Sequence, residues 1–102
     1  GLDNWASVDS FAMSVAGPAF RRGVLSDARV DAWSQSDDRF LRRLALVCTV
    51  SLNTRSRGGT GDVARTLRLC TRLATDRDDF VVKALSWALR GLLPHDDAAV
   101  RA

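Results

Sequence analysis

Apolar residues recur every three to four positions along most of the chain, which is the spacing of one face of an α-helix. The first stripe consists of Trp5, Val8, Ala12 and Val15. It predicts a helix over about residues 4–16, capped by Asp3 and ended by Gly17-Pro18. No segment alternates with the period of two that a strand requires. The pattern therefore predicts an all-α protein.

The same reasoning predicts five further helices and a truncated last segment. A polar cap or a proline stands before each apolar run. The sequence NTRSRGGTG, residues 53–61, is the one evident flexible loop. The predicted helices cover about 18–24, Ser26 or Asp27 to Gln35, Asp37 or Asp38 to Leu52, Asp62 to Ala74 and Asp78 to Leu93, with a last segment over 96–102 after Pro94.

A repeat with a period of 40 residues relates two of these helices. Each copy has a helix, a tight turn, a capping Asp, an aromatic residue and a helix with an early cation. Forty residues is typical of a HEAT-type helical pair. We therefore predict a HEAT-like α-solenoid of about six to seven antiparallel helices, an α–α superhelix, although two unrelated amphipathic helices with the same caps would match equally. The matched pairs are Asp38 and Asp78, Phe40 and Phe80, Leu41 and Val81, Arg43 and Lys83, Leu44 and Ala84, and Trp33 and Leu73.

The size and composition are those of one globular domain. The chain has 102 residues, of which 46% are apolar and 26% charged. No run approaches the roughly 18 apolar residues of a membrane span, so we expect no membrane partner. At this length we expect residues 1–102 to be a single HEAT-like repeat domain. The start at Gly1 without a leader fits a tag scar, a processed end or a fragment, and we favour a fragment of a longer solenoid.

The charges are unevenly distributed along the chain. Residues 1–38 carry three Arg against six Asp, a net charge of −3, whereas residues 39–102 carry twelve Arg or Lys against six Asp, a net charge of +6. A basic surface suits a polyanion, because neutralising phosphates releases counterions. The absence of Glu and the single Lys indicate a GC-rich genome, so only the position of the arginines is informative.

The cysteine and histidine residues favour neither a metal nor a redox site. Cys48 and Cys70 lie within helical patterns, without a C-x-x-C or histidine partner, and we expect buried free thiols in a reducing cytoplasm. His95 has no partner at catalytic or ligand spacing. We therefore expect no metal site.

Trp5 and Asp9 are four residues apart in the first helix, so they share a face beside the apolar stripe. A ring and a carboxylate would then lie on one surface. By position alone, a core Trp beside a solvated Asp is the simpler interpretation.

In the fourth helix Arg42 and Arg43 flank an inward stripe, where arginines usually face water but can also fork onto phosphate or carboxylate oxygens. That stripe consists of Leu41, Leu44, Ala45 and Cys48.

Lys83, Trp87 and Arg90 fall together on the sixth helix, at i, i+4 and i+7. A ring between two cations fits a nucleic-acid contact, with the cations on phosphates and the ring on a sugar or base. A Trp that packs on a neighbouring repeat between cations that reach water would give the same pattern. Both interpretations stay open.

Three segments in this order, NWASVDS, WSQSDDRFLRRLAL and DDFVVKALSWALR, resemble the DNA alkylation repair enzyme family of AlkD-like, HEAT-repeat DNA glycosylases. The family pattern has a Trp and an Asp four apart, then W-x-x-S with a following aromatic residue and Arg, then an aromatic-led K-A-x-x-W-x-L-R helix. The resemblance spans about residues 2–93. Family members have further helices at both ends, so exposed apolar faces at the ends of this chain favour self-association.

The resemblance implies the residues of the site. Asp9 corresponds to the catalytic Asp, Trp5 and Trp87 to the Trp residues of the cleft, and Arg43 to the active-site Arg. We also expect DNA contacts at Lys83 and Arg90, and at Arg42, which the resemblance places outside the central site.

The resemblance also implies an activity, which is hydrolysis of the N-glycosidic bond of positively charged alkylated purines, such as 3-methyladenine and 7-methylguanine, in duplex DNA. It implies a bacterial cytoplasmic protein of the nucleoid that needs no cofactor and approaches the lesion from the DNA backbone, rather than flipping the base into a pocket. The alternatives are a non-catalytic HEAT-like module that binds DNA or protein, and a scaffold without affinity for DNA.

Overall fold

A computed structural model describes residues 5–54 and 61–93, with the side chains of these residues except Trp5 and Ala6. The described part of the chain consists of helices and turns without a strand, which confirms the all-α class. None of its helices is both long and apolar enough to cross a membrane. The helices are α1 (Trp5–Phe11), α2 (Gly17–Arg21), α3 (Asp27–Ser34), α4 (Arg39–Val47), α5 (Val50–Asn53), α6 (Val63–Arg72) and α7 (Asp79–Arg90), and a π-helical segment, Ala12–Ala16, joins α1 to α2.

The first helix does not end at Gly17-Pro18, as the sequence predicts. The amide of Gly17 bonds to the carbonyl of Ala12, five residues earlier, and the helical backbone continues to Arg21. Pro18 is tolerated because it stands in the first turn of α2, and the wider π turn removes the pairing with the fourth preceding carbonyl that its ring would block. The helix predicted over 18–24 is therefore a continuation of the first and ends earlier.

The π turn also changes which residues face the core. Val8, Ala12, Ala16 and Phe20 are spaced by four and are all buried, whereas Val15 is 53% exposed. A π turn takes more residues than an α turn, so a spacing of four stays on one face through this segment. The prediction that Val15 belongs to the core stripe is wrong.

The predicted starts of the later helices are confirmed by their caps. The side chain of Ser26 accepts from the N–H of Arg29 at the start of α3, and that of Asp62 accepts from the N–H of Arg65 at the start of α6. The helix predicted to reach Leu52 is divided into α4 and α5 by a turn at 48–49. Residues 55–60 of the predicted loop and the predicted last segment, 96–102, lie outside the described residues.

Two turns that are 40 residues apart have the same hydrogen bonds. Asp38 caps α4 by accepting from the N–H of Phe40 at 2.9 Å, and Asp78 caps α7 by accepting from the N–H of Phe80 at 3.0 Å. The N–H groups of the two capping residues donate in turn to the side chains of Ser36 and Asp76. This equivalence supports the 40-residue repeat in local structure, while its extension to a solenoid stays a prediction.

The centre of the fold is α4 and α5. Every residue from Arg43 to Asn53 is buried, and α4 packs against α7, α3, α1 and α6. Three of the first five residues of α4 are arginines, and its second half, Leu44–Val47, is apolar and buried on all sides, as expected of a helix segment at such a centre. The predicted inward stripe of α4 is therefore too narrow, because Leu46 and Val47 are as buried as Leu44, and Leu41 is only half-buried.

Candidate functional site

An ion pair between Asp9 and Arg43 joins two of the predicted site residues. Nε of Arg43 donates to Oδ1 of Asp9 at 2.8 Å, and Nη2 donates to Oδ2 at 2.8 Å. This bidentate arrangement is the geometry in which a guanidinium binds a carboxylate most specifically. The side chain of Arg43 is 7% exposed and that of Asp9 is 20% exposed, so the carboxylate is fixed but accessible.

Arg43 also binds the start of α7. Its Nη1 donates to the carbonyl of Phe80 at 2.7 Å. That carbonyl belongs to the first turn of α7, while Asp9 is on α1 and Arg43 on α4. The guanidinium therefore connects three helices at one point, and the candidate site is built where they meet. The sequence left open whether Arg43 faces water or forks onto carboxylate or phosphate oxygens, and in the structure it is buried and forks onto a carboxylate.

Trp87 lies on the same side of α7 as Phe80. At 100° per residue, positions 80 and 87 are about 20° apart around the helix axis. Trp87 is half-buried and packs against the core. Trp87 therefore stands two helical turns after Phe80 on the same side of α7. Trp5 is the first residue of α1, one turn before Asp9, and its side chain lies outside the described residues.

Lys83 and Arg90 are exposed on either side of Trp87 along α7. Neither forms an ion pair with any residue that the structure describes. Their charges are therefore available to an anionic partner. The expected face of α7, a ring between two cations, is present, and its contact with DNA stays a prediction.

Arg42 is engaged within the fold. Its Nε donates to Oδ2 of Asp76 at 2.7 Å, and its Nη1 donates to the carbonyls of Ser36 and Asp37 at 3.0 and 2.9 Å. Only 18% of its side chain is exposed. Arg42 thus ties together the turns that precede α4 and α7, and a DNA contact through it would require these bonds to be exchanged.

Arg39 is a candidate that the sequence reasoning missed. Its Cζ lies 4.5 Å from the ring centroid of Phe80 and 5.2 Å from that of Phe40, and the two rings are 5.6 Å apart. Half of its side chain, 49%, is exposed, and its contact with Asp78 is long, at 3.5 Å. The one signal in the sequence was the 40-residue repeat, which places Phe40 and Phe80 at equivalent positions of two helices, whereas the contact of both rings with Arg39 depends on how these helices pack.

Several cations of the basic part of the sequence form ion pairs with acids of the acidic part, on a different helix. Arg65, Arg68 and Arg72 on α6 form ion pairs with Asp27 and Asp31 on α3. These arginines belong to the basic part of the sequence and the acids to the acidic part. The excess of cations after residue 38 is therefore only in part a bare basic surface, and the cations left for a polyanion are fewer than the sequence suggests.

Cys48 and Cys70 are free and buried, as the sequence predicts. Burial raises the pKa of the Cys48 thiol far above its ordinary value, although a hydrogen bond with the backbone of Cys48 itself partly offsets this, and burial raises the pKa of Cys70 to about 11. Neither thiol is a nucleophile at neutral pH. Among the described residues, no group of three or more His, Cys, Asp or Glu side chains is placed to hold a metal ion.

A family model described as DNA alkylation repair enzyme matches residues 1–102. No curated protein and no solved structure matches the chain. The family match includes all three segments that contribute the candidate site.

Proposed function

This chain belongs to the DNA alkylation repair enzyme family, and on that premise we propose that it releases positively charged alkylated purines, such as 3-methyladenine and 7-methylguanine, from duplex DNA. Membership of the family assigns the chain to DNA repair. The proposal adds the reaction, which is hydrolysis of the N-glycosidic bond, and the residues that perform it.

The chemistry requires an anion more than a strong acid. When the bond from C1′ to N9 breaks, its electron pair goes to the alkylated base, which leaves as a neutral purine. The deoxyribose then carries positive charge until a water adds to C1′ and loses a proton. A fixed carboxylate beside C1′ stabilises that charge in the transition state, and no metal or organic cofactor takes part.

One observation carries this proposal, the bidentate ion pair of Asp9 and Arg43. It holds a carboxylate in one orientation while a fifth of the Asp9 side chain, 20%, stays accessible. An anion that is held in advance costs little reorganisation when charge develops on the sugar. In this proposal Asp9 stabilises the oxocarbenium-like sugar and orients the water.

Arg43 acts in this proposal as a positioning residue, because its guanidinium binds Asp9 and the carbonyl of Phe80. Its expected contact with a phosphate or a water stays a prediction. Trp5 and Trp87 pack on the deoxyribose, where their π-faces attract the developing cation. Lys83 and Arg90 bind backbone phosphates at the edge of the site.

The test is release of free base from duplex DNA that contains 7-methylguanine, measured beside binding of the same duplex. Asp9→Asn removes the charge and keeps the shape, so we expect binding to persist and base release to be lost. Asp31→Asn is the matched control, since Asp31 also pairs with arginines but lies on α3, and it should leave release unchanged.

The other outcomes identify the alternatives. A wild-type chain that binds damaged DNA and never releases base is a non-catalytic binding module. A chain without salt-dependent affinity for DNA is a scaffold. Equal release by wild type and Asp9→Asn would show that the chemistry does not depend on Asp9.

A further inference from the structure

We propose that Arg39 is a contact for a DNA backbone phosphate beside the Asp9–Arg43 pair. This inference rests on the proposed function, because it names the part of the DNA that the same site would bind. Three arginines, Arg39, Arg42 and Arg43, lie in the first half of α4, and they differ in burial and in contacts.

Arg42 and Arg43 are committed within the protein. Arg43 is 7% exposed and binds Asp9 in a bidentate manner, and Arg42 is 18% exposed with a 2.7 Å ion pair to Asp76. Each also donates to backbone carbonyls. A phosphate could reach either guanidinium only at the cost of these bonds, and a charge-assisted hydrogen bond lost within the fold is expensive.

Arg39 is presented differently. Its side chain is 49% exposed, and the one ion pair that it forms with a described residue, Asp78, is 3.5 Å long. The Oδ1 atom of Asp78 is occupied by the cap of α7, so Arg39 meets only the remaining oxygen, Oδ2. A pair this exposed contributes little to stability, and its arginine can exchange a carboxylate for a phosphate at small cost.

The position of Arg39 relates it to the candidate site. Arg39 and Arg43 are four residues apart on α4 and share a helix face. The guanidinium of Arg39 contacts the ring of Phe80 at 4.5 Å, and the carbonyl of the same residue holds Arg43. Arg39 therefore stands one helical turn before the arginine that fixes the carboxylate.

The two phenylalanine rings prepare Arg39 for a ligand. Contact with Phe40 and Phe80 restricts a long side chain that would otherwise lose rotamer freedom on binding. Arginine stacks on rings while the N–H groups at its edge remain able to fork onto oxygen atoms. A DNA strand whose sugar lies at Asp9 would have its neighbouring phosphates near this turn of α4.

The experiment measures the affinity for a fluorescently labelled, undamaged duplex over a series of salt concentrations. Arg39→Gln removes the charge and leaves a shorter, polar side chain, so we expect the slope of log K against log salt to become shallower by about one. Arg39→Lys retains a charge and should retain the wild-type slope. Arg29→Gln is the control, because Arg29 is exposed and forms no ion pair with a described residue, and it should also keep the wild-type slope.

Asp78→Asn provides an independent variant that keeps a side-chain cap on α7 and releases Arg39 from its ion pair. We expect it to bind DNA at least as tightly as the wild type. An Arg39→Gln protein that melts like the wild type and keeps its salt slope would overturn the inference while the proposed function stands. A wild type without salt-dependent binding would overturn both.

Discussion

The guanidinium of Arg43 and the carboxylate of Asp9 meet edge to edge, with Nε and Nη2 each 2.8 Å from a different carboxylate oxygen. The two residues lie on α1 and α4, 34 positions apart in the sequence. Their pairing fixes one helix against the other and defines the orientation of the carboxylate. The stability of the fold and the proposed chemistry are therefore linked at this pair.

Removing one partner of this pair should destabilise the fold. Asp9→Ala leaves the buried Arg43 without its anion, so we expect the free energy of unfolding to fall by about 2–3 kcal/mol, below the largest effects of this kind because Asp9 is partly exposed. Urea denaturation measures this loss. If the pair is coupled, Asp9→Ala with Arg43→Met should cost less than the sum of the single changes; strict additivity would contradict the coupling.

Gly17 should not tolerate a side chain. A Cβ at this position would lie 2.7 Å from the carbonyl oxygen of Ala12 and 2.9 Å from the Cβ of Ser51. Because both neighbours belong to packed helices, we expect Gly17→Ala to lower the free energy of unfolding by about 1–3 kcal/mol. Gly91→Ala is the control, since Gly91 has a helical φ of −62° and more room for a Cβ than Gly17 has. Chemical denaturation of this variant should show no comparable loss in the free energy of unfolding. Equal melts for the two variants would contradict the close approach.

The sequence predicted the helix starts because they depend on local chemistry. A capping side chain and the apolar residues that follow it lie within a few positions, so Ser26, Asp38, Asp62 and Asp78 all cap the helices expected of them. The π turn at 12–16 could not be predicted in this way. Its closing residue, Gly17, lies against Ser51, a neighbour that is far away in the sequence. Without the π turn, α-helical spacing assigns Val15 to the wrong face.

The sequence predicted part of the site for a related reason. Residues on one helix, such as Lys83 and Trp87, share a face by their spacing alone, and the structure places them so. The task of an arginine depends instead on partners from other helices. Arg42 and Arg43 are adjacent in the sequence, yet Arg42 connects two turns and Arg43 binds Asp9. No local sequence pattern distinguishes these two roles.

Stability should decrease in alkaline solution because of the buried thiols. Burial raises the pKa of Cys70 from 9.0 to about 11 and that of Cys48 further. Between pH 9 and 11 the unfolded chain has lost thiol protons that the folded chain retains, so the free energy of unfolding falls as the pH rises. Urea melts at pH 8, 9.5 and 10.5 measure the slope. It should flatten in the Cys48→Ala/Cys70→Ala variant, and a slope that persists there would have another origin.

Replacing Trp87 with a smaller aromatic residue should slow base release more than it destabilises the fold. Trp87→Phe retains apolar packing against the core and loses the larger π-face, so we expect slower base release with a nearly unchanged melting temperature. Trp33→Phe is the matched control, because Trp33 is also half-buried against the core but lies on α3. A similar fall in release for both variants would indicate a general packing effect and not contact with the sugar.

The size of the lesion distinguishes the two ways of reaching the glycosidic bond. An open surface that contacts the backbone makes no demand on the shape of the base, whereas a pocket that receives a flipped base must exclude large adducts. Because the proposed contacts from Asp9, Trp87 and Arg39 are with the sugar and phosphates, we expect bulky cationic N-alkyl purines to be released at rates similar to 7-methylguanine.

Since such adducts also leave spontaneously at different rates, the quantity to compare is acceleration over the same duplex without protein. Strong acceleration for methyl adducts and none for bulky ones would establish a closed pocket, and the carboxylate of Asp9 would then act on a base removed from the stack.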